Sequence, residues 1–165
     1  MKILILIHVA ISLAGIFSGF VVLFGLLAGK RFDGWTALFL TTTVLTSVTG
    51  FFFPFHGITP AIIVGIISLV MLTVSIFARY FRQLAGGWRI IYVITAVLAL
   101  YFNVFVLVVQ SFEKIPALKN IAPTQSEPPF KIAQLAVLIF FIVTGVLAAI
   151  RFRGNAVSTQ ARPAV

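Results

Sequence analysis

The sequence predicts an all-α fold, a polytopic bundle of about five transmembrane helices with almost no soluble domain. Three observations predict it. Hydrophobic residues make up 61% of the 165-residue chain and charged residues only 9%, with a mean hydropathy of +1.19. A soluble domain carries about 25% charged residues, so this chain has too little polar surface to face water. The apolar runs also have the length of roughly 20 residues that a helix needs to cross the ~30 Å hydrocarbon layer. They are unbroken rather than alternating in ten-residue segments, which selects helices over a closed barrel as the way to satisfy backbone polar groups in lipid.

Five charge-free stretches carry the prediction: Ile3–Gly29, Trp35–Phe55, Ile58–Ala78, Ile90–Phe112 and Ile132–Ile150. They place helices at approximately 3–29, 35–54, 59–79, 88–112 and 131–151 within a single membrane domain, 1–153. The first follows Lys2, and Ser12-Leu13-Ala14 resembles a signal-peptidase site. Its apolar run continues to Gly29, far past an ordinary signal-peptide core, so it is expected to be retained as a span.

The second and third helices come from one segment of 45 residues, Gly34–Ala78, without Asp, Glu, Lys or Arg. A single helix of that length would run about 68 Å, twice a bilayer's hydrocarbon thickness. It must fold back, and the prolines and glycine of Pro54-Phe55-His56-Gly57-Ile58-Thr59-Pro60 mark the turn. Between the fourth and fifth helices lies the one sizeable loop, 112–130. Phe112, Ile115, Leu118 and Ile121 recur every three residues, predicting a short helical turn that lies on the membrane surface as a lid over the polar pocket. Pro116 limits its length, and Pro123, Pro128 and Pro129 predict an extended return. The small, polar segment 154–165 is expected to be a disordered cytoplasmic tail.

The net charge of +9 does not indicate a nucleic-acid partner, because the twelve basic residues stand at the ends of apolar runs, as interfacial anchors. The expected contact is the lipid bilayer, with a membrane-protein partner or a second copy of the chain as further candidates. Lys30, Arg31, Arg79, Arg82, Arg89, Arg151, Arg153 and Arg162 fall on one side, and Lys2, Lys114, Lys119 and Lys131 on the other. Cytoplasmic loops carry the excess, which predicts the N-terminus outside and the C-terminus in the cytoplasm. The arginines read as snorkelling anchors.

Each helix has one small or polar face. His8, Ser12, Gly15 and Gly19 share a face of the first helix. Tyr92, Ala96, Ala99, Asn103 and Gln110 share one in the fourth, Gly65, Ser68, Leu72, Ser75 and Arg79 in the third, and Gly145 with Ala148 lies in the fifth. Helices in lipid associate through small residues, so Gly15, Gly19, Ala96, Ala99 and Gly145 are candidate packing positions. Polar groups inside a membrane are costly and often functional. His8, Ser12, Thr49, His56, Asn103, Gln110 and Gln134 all map to the outer half and form a candidate polar pocket.

No catalytic set is expected. The single Asp, Asp33, is predicted on the opposite side from both histidines, so a Ser-His-Asp triad cannot assemble. Cysteine is absent, and no phosphate loop or HExxH zinc motif occurs, so no metal site is expected. The leading expectation is a non-enzymatic membrane accessory or interaction bundle. The alternatives are a redox module, with haem b on His8 and His56 or a quinone at Asn103 and the histidines, and a small-solute transporter.

The segment Phe112–Lys119, followed by Ala122–Phe130, together with His8, Gly15 and Gly19, resembles a group of small multi-pass bacterial inner-membrane proteins known only as domains of unknown function. The likeness extends to Arg153. It implies a helical bundle in the bacterial inner membrane and carries no activity, cofactor or catalytic residue.

Overall fold

The computed structural model describes residues 2–54 and 60–160. Among these the fold is all-α, with six helices: α1 (Lys2–Leu27), α2 (Asp33–Gly50), α3 (Pro60–Ile76), α4 (Trp88–Lys114), α5 (Pro116–Ile121) and α6 (Pro128–Gln160). A π-helical turn, Phe77–Phe81, continues α3. Four segments are long and apolar enough to cross a membrane: Lys2–Leu27, Ile62–Phe81, Trp88–Lys114 and Pro128–Phe152.

Among the described residues, four of the five expected spans are long, apolar helices. The element that falls short is α2, because six threonines, a serine and Asp33 dilute its 18 residues. It also ends at Gly50, four residues before the expected boundary, with Phe51–Phe53 in turns. Two other boundaries moved. Pro128 and Pro129 open α6 instead of extending the loop, since a proline in the first helical turn forfeits only an amide that has no intrahelical partner. At its other end α6 runs to Gln160, taking in the first part of the segment expected as a tail. The short helical turn expected after Phe112 is α5, and Pro116 occupies its first turn.

Neighbouring helices run antiparallel in a tight register. Along α1 and α2, His8 meets Thr49, Gly15 meets Thr42 and Thr43, Gly19 meets Phe39, and Gly25 meets Phe32. Along α4 and α6, Arg89 meets Phe152, Val97 meets Gly145, Tyr101 meets Phe141, and Phe112 meets Phe130. α1 also packs on α4 and α6, which closes the bundle.

The core occupies one half of that bundle. Leu23, Phe39, Leu72, Tyr92, Leu100 and Phe152 are almost completely enclosed there. Small residues let the backbones close: Ala96 and Ala99 of α4 are buried, and a Cβ on Gly19 would lie 2.5 Å from Leu100 Cδ1. Arginines tie the helix ends in the same half. Arg151 Nη1 donates to the Leu27 carbonyl at 3.3 Å, and Arg89 Nη1 to the Phe152 carbonyl at 3.1 Å. Leu27 closes α1, so Arg151 satisfies a carbonyl that has no intrahelical donor.

Arg79 departs from the snorkelling expectation. It is 4% exposed, and its guanidinium lies over the Tyr92 ring at 5.3 Å and forms an ion pair with the exposed Asp33. Its place on the helix is the reason: Arg79 follows Ser75 by four residues and continues the buried face of Ser68, Leu72 and Ser75. The Arg82 amide bonds the Phe77 carbonyl five residues back, the π-type bond that ends this helix.

Candidate functional site

The other half of the bundle is hollow. A cavity of about 910 Å³ lies between the first four turns of α1, the end of α2, the start of α3 and the end of α4. That volume falls within the range of small-molecule pockets, which are mostly apolar with a few polar groups that fix orientation. α1 contributes Ile5, His8, Val9, Ser12 and Ile16, and α2 contributes Thr46, Ser47 and Gly50, with Phe51 and Phe53 following in the turn. α3 supplies Ile62, Val64, Gly65 and Ser68. α4 supplies Phe102, Asn103, Val106, Leu107 and Gln110, with Glu113 and Lys114 at its end.

By helical rise, Asn103 lies about 16 Å below Lys114, so the chamber reaches well into the bundle. Its deep end is polar, with Ser12, Ser47, Ser68 and Asn103, while aliphatic and aromatic side chains form the walls. Among the described residues, the only charged groups on its lining are Glu113 and Lys114, at the mouth, which pair with each other at 3.2 Å.

The imidazole of His8 has a defined orientation. Its Nδ1 is 2.8 Å from Thr49 Oγ1, and the Phe53 ring meets it edge-on at 5.0 Å. Thr49 donates its single hydroxyl hydrogen to the Leu45 carbonyl at 2.7 Å. His8 must therefore donate from Nδ1, which leaves the lone pair on Nε2. Asn103 bridges helices, its Nδ2 donating to Thr43 Oγ1 at 3.3 Å, beneath the close approach of Gly15 to the same two helices.

Hydroxyl groups in these helices mostly return to their own backbone. Ser12, Ser18, Thr42, Thr95, Ser111 and Thr144 each donate to the carbonyl four residues back, at 2.7–2.8 Å. Thr46, Ser68 and Ser75 do not: their hydroxyl oxygens are enclosed and have no partner. Two of these three, Thr46 and Ser68, line the chamber.

Of the seven residues expected in a polar pocket, His8, Ser12, Asn103 and Gln110 line the chamber, and Thr49 holds His8 from behind. Gln134 is elsewhere. It sits on α6 and donates to the Phe105 carbonyl of α4 at 3.2 Å, because the two helices pack on the side of α4 away from the cavity. His56 lies outside the described residues. Sequence reasoning missed Thr46, Ser47, Ser68, Phe51 and Phe53 as site residues. Ser68 was legible as part of the α3 stripe, but nothing in a single sequence distinguishes a hydroxyl bonded to its own helix from one left open.

No group of three His, Asp or Glu side chains converges among the described residues. Comparison with family models, curated proteins and solved structures finds no match to this chain.

Proposed function

We propose that this chain is a five-span membrane bundle that acts without catalysis, as an accessory component that holds a small lipid-soluble molecule in its chamber. The observation that carries the reading is the cavity of about 910 Å³ with two enclosed, unpartnered hydroxyls on its lining. An unsatisfied hydroxyl in a dry interior costs on the order of 1–3 kcal/mol, a penalty that a bound polar atom removes.

The fifth span is α2. It runs antiparallel to α1 from Gly25 back to His8, about 26 Å by helical rise, about two-thirds of the length of α1 and close to the ~30 Å hydrocarbon layer. Its dilution by threonine is tolerable in lipid because Thr42 and Thr49 satisfy their hydroxyls on their own backbone. The excess of Lys and Arg at the Lys30–Arg31 end favours that end in the cytoplasm and the chamber mouth outside; the inner membrane of a bacterium is what the resemblance implies.

The test uses the absence of cysteine in the chain. Single-cysteine variants Gln110→Cys and Arg31→Cys are treated in intact cells with a membrane-impermeant maleimide. Gln110→Cys is expected to label directly and Arg31→Cys only after permeabilisation. Labelling of both from one side would eliminate the crossing by α2, and the reverse pattern would invert the topology.

A redox role draws on one observation, the free Nε2 of His8 at the chamber wall. Haem b bound by two histidines would need His56 as the second ligand. A Soret band lost in His8→Ala would establish it.

A further inference from the structure

The chamber's lining narrows the chemistry of its occupant, and the inference rests on the binding role proposed above. We propose that the chamber takes an uncharged quinone-type ring, inserted with one ring oxygen against Ser68 and Asn103 and its tail towards the mouth. Three features on the lining lead there.

The first is charge. Glu113 and Lys114 neutralise each other at the mouth, and among the described residues the rest of the lining has no formally charged side chain. An ionic head would be buried without a counter-charge, at a cost of several kcal/mol. The second is the placement of donors. Ser68 is 3% exposed and its hydroxyl has no partner, so it can donate to a carbonyl oxygen. Asn103 uses one amide hydrogen on Thr43 and keeps the other. A deep end with free donors suits a molecule that enters oxygen first, and not a lipid that enters tail first. The third is shape. Phe51, Phe53 and Phe102 stand on the lining with the His8 imidazole among them. Aromatic walls favour a planar ring, which stacks or meets edges better than a flexible chain does. His8 Nε2, an acceptor, faces the reduced form's hydroxyl as readily as Ser68 faces the oxidised form's carbonyl.

The experiment measures binding of a fully ring-substituted decyl-benzoquinone to the full-length protein in phosphatidylcholine nanodiscs. Full substitution leaves no ring position to which a thiol could add. Saturable binding is expected, weakened about two- to tenfold in Ser68→Ala and again in Asn103→Ala, the loss of one hydrogen bond each. Gln134→Ala, remote from the chamber, is expected to bind as the parent does. Binding that is unchanged in both chamber variants, or 1-decanol competing as well as the quinone, would overturn the proposal.

A parallel arm separates its failure from that of the binding role. Ser68→Cys, the only cysteine in that variant, is treated with N-ethylmaleimide in the same nanodiscs. Reaction that the quinone slows supports both readings. Reaction without quinone binding rejects the quinone class and leaves the chamber standing. No reaction in the folded protein rejects the chamber, and the quinone with it.

Discussion

Gly19 is where α1 closes against the two helices behind it, and replacing it with alanine tests the packing most directly. The added Cβ would lie 2.5 Å from Leu100 Cδ1 and 2.9 Å from Phe39 Cδ2 and Cε2. Both neighbours are about 1% exposed, so neither has free volume to move into. Overpacking of this kind costs about 1–3 kcal/mol. The helix propensity of alanine returns at most about 1 kcal/mol, so the clash wins. Gly34→Ala is the matched control, because its Cβ meets nothing within 4 Å. It is expected to be neutral or stabilising by about 0.5–1 kcal/mol. The assay is reversible unfolding of the detergent-solubilised protein by sodium dodecyl sulfate, followed by circular dichroism. If the clash with Leu100 is the cause, trimming that side chain relieves it. Gly19→Ala combined with Leu100→Ala should then be less damaging than the two single losses added, by about 0.5–3 kcal/mol of coupling. A Gly19→Ala protein as stable as its parent, or additive losses in the double variant, would refute the reasoning.

Three other predictions follow from the same geometry. Asp33→Asn should cost no more than about 1 kcal/mol, since the carboxylate is exposed and its attraction to Arg79 is screened; Arg79→Ala should cost more, because it also removes a guanidinium packed over Tyr92. The same unfolding titration ranks the two. Desolvation works to raise the Glu127 carboxyl, but hydrogen bonds from the Thr124 hydroxyl and from the Thr124 and Ser126 amides outweigh it and hold the group below its ordinary value near 4.5. A depressed carboxyl stabilises above its unfolded value and loses that contribution as pH falls through the folded one. The Thr124 and Ser126 amide resonances should therefore shift only in that acid range, and Glu127→Gln should abolish the transition. Finally, nitrogen NMR of neutral His8 should find the proton on Nδ1, and Thr49→Val, which removes the acceptor, should redistribute it to Nε2.

Periodicity carried much of the packing. The stripe Ser68, Leu72, Ser75 and Arg79 is the buried face of α3, and Ala96 and Ala99 with Tyr92 form that of α4. A 3.6-residue repeat places residues on a common face from spacing alone. The same repeat says nothing of which neighbour that face meets. Gln110 and Gln134 were grouped by depth, yet one borders the chamber and the other crosses to α4 on the far side. Depth follows from counting residues along a helix, whereas azimuth depends on how helices are arranged around one another. Arg79 escaped for a related reason. Its spacing from Ser75 puts it on the buried stripe, but that Asp33 and the Tyr92 ring receive its charge depends on how α2 and α4 are arranged around it.

The sequence by itself determined that this is an α-helical protein suited to lipid, that the Gly34–Ala78 segment must fold back, and where the basic residues lie. Composition and run length decide those matters, because the hydrocarbon layer sets a length and a polarity that any span must meet. Only the tertiary structure decided that one half of the bundle packs solid while the other encloses a chamber. That outcome depends on the shapes of side chains from four helices meeting in one place. Gly19 admits Leu100 and Phe39 at the solid end, and at the other end the helices leave Ser68 and Thr46 with no partner to bond.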